Sequence, residues 1–241
     1  MEKKELFKII LILILPFIIN FTISSIIGFT VYNKIIAERK PREIIGIEIT
    51  RTIFTYNFYW SIIQVCFGMY LIKIMGGIKW FKNQFNFEDF RRNIGRSLLL
   101  IFGLFIISSG LIWLEQFIMA NITAGGWESY MAYWSEIKMG IPLWSKLYLV
   151  LIAPFTAGIF EEIIWRGYGV SMLERHMSSF KALLIQAIAF GFWHGISLHT
   201  VITAIIGFIY GYVYIKRRRL LNISIAHIIT DIIGFYIAFM T

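Results

Sequence analysis

Between Gly158 and Val170 the chain reads GIFEEIIWRGYGV, two adjacent carboxylates and a guanidinium set among isoleucines and aromatics. Further on, FGFWHG holds Phe190 and His194, and HIITD holds His227 and Asp231, each pair at a spacing of four. Carboxylates and imidazoles move protons, orient water at a reacting carbonyl and ligate metal ions. On an α-helix Glu162 and Arg166 share a face, acid before base, and can neutralise each other. Glu161 projects about 100° away from Glu162 at 3.6 residues per turn, so its polar partner must come from another helix. His227 and Asp231 also share a face, where a carboxylate can orient an imidazole or both can bind a metal.

The elements that carry these residues follow from composition. The chain has 241 residues, 58% hydrophobic and 15% charged, far from the balance of a soluble domain. Several windows hold the roughly 20 apolar residues that a helix needs to cross a bilayer. We expect an all-α polytopic transmembrane helical bundle of about seven spans, with six and eight as the bounds. The spans are expected near 8–32, 52–75, 97–120, 147–173, 180–199, 200–215 and 220–240. Residues 1–146 would be membrane helices of unassigned role and 147–241 the core bearing the chemistry, together forming one integrated membrane domain. The fifth and sixth spans are expected to form a tight hairpin turning near HGISLHT. There Gly191 with Gly195, and Gly207 with Gly211, repeat the spacing that lets helix backbones approach.

A net charge of +9 raises the question of nucleic acid, but the 23 basic residues fall almost entirely between the apolar runs, which points to membrane topology instead. Fifteen of them lie on the side of the N-terminus, which is therefore expected to be cytoplasmic, with the cell membrane as the site. The first apolar run continues to Val31 without a small-residue cleavage site and reads as a retained anchor. The segment from Gly76 to Arg96 mixes aromatic and basic residues and suits either an interfacial helix or a solvated loop. KRRR at 216–219 reads as a topology anchor, with contact to anionic lipid as the alternative. Cys66 is the single cysteine, so no disulfide forms within the chain and no metal site rests on thiolates.

An acidic side chain at the centre of a membrane helix costs about 2.5 to 3.5 kcal/mol, so Glu161, Glu162 and Asp231 need partners or a purpose. Glu115 falls at the end of a span, where interfacial solvation accounts for it. His176 is placed in a loop. His199 lies five positions after His194, about 140° round a helix, and is placed at the interface, outside the site.

Taken in order, Glu161-Glu162-x-x-x-Arg166, Phe190-x-x-x-His194 and His227-x-x-x-Asp231 resemble the motifs of the CAAX-protease and bacteriocin-processing (CPBP, or Abi) family, whose members include Rce1-like type II CAAX prenyl endopeptidases. The resemblance covers roughly 147–241. It implies hydrolysis of a peptide bond in a membrane-associated peptide or lipidated C-terminal tail, with Glu161 and His194 activating a water and His227 completing the catalytic set. Glu162, Arg166 and Asp231 would support and orient it. Prenyl-protease members carry Asn where this chain has Asp231, so a donor role toward an oxyanion passes to His227, and Asp231 is expected to orient His227. Zinc is left open, with Glu161, His194, His227 and Asp231 as its ligands if a metal binds; otherwise no cofactor is implied. The competing reading is a non-catalytic bacteriocin-immunity or regulatory membrane protein that binds a peptide partner with the same core. Either way the partners are a peptide or lipidated protein and membrane lipids, with no nucleic acid.

Overall fold

Long apolar runs separated by basic turns fold into helices throughout. The computed structural model describes residues 2–241, and among them every regular element is helical. In chain order these are α1 (Glu2–Ala37), α2 (Ile45–Thr55), α3 (Phe58–Met75), α4 (Gly77–Gln84), α5 (Phe87–Arg92), α6 (Ile94–Ile118), α7 (Trp127–Met139), α8 (Leu143–Leu151), α9 (Ala153–Thr156), α10 (Ser171–Leu173), α11 (Ser179–Trp193), α12 (Leu198–Arg217) and α13 (Leu221–Met240). Between α9 and α10 the chain continues through wider π-helical turns at Ala157–Glu161 and Ile163–Val170. Met1, the head of the expected 1–146 unit and of its cytoplasmic end, lies outside the described residues.

Among the described residues, six helical stretches are long and apolar enough to cross a membrane: Lys3–Ala37, Phe58–Met75, Ile94–Thr123, Leu143–Leu173, Leu198–Arg217 and Leu221–Met240. The chain is an integral, multi-pass membrane protein. The fifth expected span is α11, apolar but 15 residues long, short of a full crossing. Its expected end at 199 is corrected to Trp193. Gly195 takes a φ of +105°, which favours glycine, and the Thr200 hydroxyl accepts from the Ser197 N–H at 3.0 Å while donating to the Gly195 carbonyl at 2.6 Å. That knot stops one helix and starts the next. The expected span from 52 is likewise cut, because the chain breaks at Tyr56 and Asn57 and α3 begins at Phe58.

The stretch Leu143–Leu173 lies at the centre, with half of its most apolar window buried inside the protein, more than in any of the other five. Close backbone approach sets its neighbours. A Cβ at Gly158 would lie 3.0 Å from both the Ser224 carbonyl oxygen and the Ile228 nitrogen of α13. In the α11–α12 hairpin a Cβ at Gly191 would lie 2.5 Å from the Thr200 carbonyl, and one at Gly207 would lie 2.7 Å from the Phe190 ring. Gly211 faces Leu183 in the same way. Three of the four expected small residues thus serve contact, and Gly195 serves the turn.

The segment after α3 is neither a bare loop nor an isolated surface helix. It forms α4 and α5, Trp80 of α4 covers Gly167, and the Gln84 carbonyl accepts from the Leu220 N–H at 3.0 Å. At the same end Arg218, with φ 53° closing α12, donates twice to Glu174, at 2.5 and 3.0 Å. Partial burial pushes the Glu174 carboxyl up, but the bonds from Arg218 and Ser179 outweigh it and hold the group below the ordinary carboxylate range.

Gly158→Ala should therefore lower stability by about 1–3 kcal/mol, because the obstructing atoms include backbone. Gly110→Ala, where nothing lies within 4 Å of an added Cβ, should leave the midpoint of thermal unfolding in detergent unchanged or raised.

Candidate active site

Glu161 ends the first π turn with its side chain sealed from solvent at 2% exposure. Its Oε1 accepts from Gln64 Nε2 at 2.6 Å and from Trp193 Nε1 at 3.0 Å. Gln64 comes from α3, distant in sequence from the helices that carry the motifs. Trp193 ends α11 and is itself fixed: its ring lies 4.1 Å from that of Trp60 and 5.5 Å from that of Trp165, and its carbonyl accepts from Asn20 of α1 at 3.0 Å. Two donors on one oxygen leave Oε2 as the atom free to act. It is buried, has no hydrogen-bond partner among the described residues, and lies 4.0 Å from Nε2 of His227.

Glu162 and Arg166 form the expected pair, at 3.1 Å with both side chains fully buried. The same Oε1 of Glu162 also meets Nδ1 of His227 at 2.8 Å. Asp231, expected to orient His227, shares that ring with Glu162: Glu162 meets the Nδ1 side, and Asp231 Oδ2 stands 3.5 Å from Nε2 on the other side. The reason is the close packing at Gly158, which brings the π turns against α13. Arg166 has further supports. Its guanidinium sits 4.3 Å from the Phe190 ring centre and 5.4 Å from that of Tyr210, and Nη2 reaches the Gly207 carbonyl at 3.5 Å.

His194 follows α11 directly. Its ring stands edge-to-face on Phe190 at 5.1 Å, as their shared face predicts, and its Nε2 is buried without a partner. Among the described residues no hydrogen bond or ion pair joins it to Glu161, whose partner from this region is the neighbouring Trp193. His199, placed at the interface by its helical angle, instead packs edge-to-face on His194 at 5.3 Å and binds Glu115 at 2.8 Å through Nδ1. The angle failed because the two histidines are not on one helix. His176, in the segment between α10 and α11, makes none of these contacts.

A catalytic zinc would need several of these side chains to converge at about 2.0 to 2.2 Å from one point. Oε1 of Glu161 is held by two donors and Nδ1 of His227 faces Glu162, which leaves Oε2 and Nε2 of these two residues 4.0 Å apart, while His194 packs between Phe190 and His199. Among the described residues, no three or more His, Cys, Asp or Glu side chains are arranged to hold a metal ion. As they stand, these side chains do not form a zinc site.

Set against known families, residues 142–233 match the one described as Type II CAAX prenyl endopeptidase Rce1-like. The segment is similar to that family. It runs from the start of α8 into α13 and contains Glu161, Glu162, Arg166, His194, His227 and Asp231, while Gln64 and Glu115 lie outside it. Neither a curated protein nor a solved structure matches the chain. The Rce1-like family is one of proteases, and a peptide or prenylated protein is the substrate it implies.

Removing one partner of a fully buried ion pair leaves an uncompensated charge. Arg166→Met should lose about 3–5 kcal/mol of stability, and the double variant with Glu162→Gln should lose less than that, which denaturation of the two in the same detergent would show.

Proposed function

We propose that the chain is an intramembrane endopeptidase in which Glu161 is the general base, acting on a peptide or lipidated C-terminal tail presented from the bilayer. The observation that carries this reading is the free Oε2 of buried Glu161, 4.0 Å from Nε2 of His227. One water hydrogen-bonded to both atoms spans that separation. Glu161 takes a proton from the water as its oxygen bonds to the scissile carbonyl carbon. The carbonyl oxygen becomes an oxyanion, and His227, protonated on both nitrogens and donating Nδ1–H to Glu162, donates Nε2–H to it. The carbon–nitrogen bond then breaks, and the proton held by Glu161 passes to the departing amine.

The other residues fall into place around that step. Gln64 and Trp193 fix which oxygen of Glu161 faces the reaction. Glu162 and Arg166 hold His227 in register, and Asp231 stands beside the nitrogen that donates. His194, with Nε2 unpaired, supplies a second imidazole to the reacting groups. The Rce1-like segment supports a prenylated CAAX tail as substrate, and the excess of basic residues on the side of the N-terminus supports a cytoplasmic N-terminus in the cell membrane.

The test is cleavage of a quenched-fluorescent farnesylated CAAX peptide by the full chain in nanodiscs. Loss of a general base lowers the rate by about 10²- to 10⁴-fold, so Glu161→Gln should do so with folding intact, and His227→Ala should also fall steeply. Cleavage by Glu161→Gln at the parent rate would overturn the assignment.

A further inference from the structure

Glu115 and His199 form an acid–imidazole pair that the reaction above does not use. Glu115 sits near the end of α6, largely sheltered, and His199 lies in the first turn of α12. Their contact of 2.8 Å spans 84 positions of sequence. The His199 side chain is 40% exposed, and an ion pair so open to solvent contributes little to stability. What the pair does fix is direction. With Nδ1 held by Glu115, the His199 ring is turned edge-to-face on His194 at an interplanar angle of 89°.

His194 needs that support. It follows the last residue of α11, beside Gly195 and the Ser197–Thr200 knot, so no helix continues past it to restrict its ring. Its buried Nε2 has no hydrogen bond to fix a rotamer. The remaining constraints are packing on two faces, Phe190 from the preceding turn and His199 from the following helix. Phe190 is shared with Arg166, which occupies its ring face. Of these two rings, His199 is tied by a polar bond to a different span.

We infer that Glu115 and His199 are positioning residues for His194, a clasp by which α6, outside the Rce1-like segment, sets the orientation of an imidazole in the proposed active site. This rests on the protease reading for its effect on rate, but not for its effect on the His194 ring. The clasp couples the end of α6 to the α11–α12 turn, so any displacement of one is passed to the other through His199. It also gives a reason for an acidic residue at that level of the bundle beyond solvation.

The chain has four histidines, so selective nitrogen-15 labelling of their rings in nanodiscs gives few enough signals to assign by single substitution. In Glu115→Ala and in His199→Ala the His194 ring signals should shift or broaden, while Glu115→Gln, which keeps an acceptor for Nδ1–H, should restore the parent spectrum. With the farnesylated peptide, both alanine variants should lower kcat by about ten- to a hundredfold at nearly unchanged KM, the scale of a small misplacement of a reacting group. His199→Phe keeps the ring but loses the tether. It should give an intermediate spectrum and rate, and serves where an alanine variant does not fold. Unaltered His194 signals in folded Glu115→Ala or His199→Phe would overturn the clasp. Altered His194 signals with no peptide cleavage by any form, parent included, would uphold the clasp and count against the protease reading instead.

Discussion

A carboxylate removed from water must be held by opposite charge and hydrogen bonds, and Glu162 is held through a single oxygen by two cationic or donor groups, Arg166 at 3.1 Å and His227 at 2.8 Å. Its helix supplies the first and α13 supplies the second. That shared oxygen fixes the distance between the central span and the last one, and Gly158 is what permits it. Arg166 extends the same constraint to the hairpin, lying on Phe190 of α11 and reaching the Gly207 carbonyl of α12, which Gln186 also engages at 3.2 Å. Four helical segments thus meet around one buried charge pair. Glu161, next in sequence and turned elsewhere, inherits a fixed position from that anchoring.

The two adjacent glutamates therefore differ in what surrounds them and not in kind. Glu162 has its Oε1 set between two charged or donor groups, Arg166 and His227, and serves architecture, while its Oε2 is buried without a partner among the described residues. Glu161 is bound on one oxygen by two neutral donors, which orient the carboxylate without neutralising it, and its second oxygen is left toward His227. One of those donors comes from α3, and the positioning pair behind His194 begins on α6. The N-terminal helices, which lie outside the matched residues 142–233, are not a passive anchor for that segment. They contribute a direct partner of the proposed base and a remote support for the second imidazole.

Much of this was legible in the sequence where one helix decides the outcome. Apolar length located the spans, and spacing of four paired Glu162 with Arg166, Phe190 with His194 and His227 with Asp231. Helical phase also separated Glu161 from Glu162. It fails where the chain stops being a helix: helical phase puts His199 about 140° from His194, yet Gly195 breaks the helix between them and folds the second ring back on the first. It was silent on contacts between helices distant in sequence. Nothing in the local pattern of IIQVC marks Gln64 as the residue that reaches Glu161 across 97 positions, and a tryptophan beside a histidine motif reads as packing before it reads as a donor.

The most direct measurement is a mass-spectrometric comparison of membrane-associated peptides and protein C-termini in cells producing the parent chain or Glu161→Gln at equal abundance. If Glu161 is the base of an intramembrane protease, one or a few full-length species accumulate with Glu161→Gln, and their shortened forms appear with the parent alone. Identical peptide profiles in the two cell lines would contradict it.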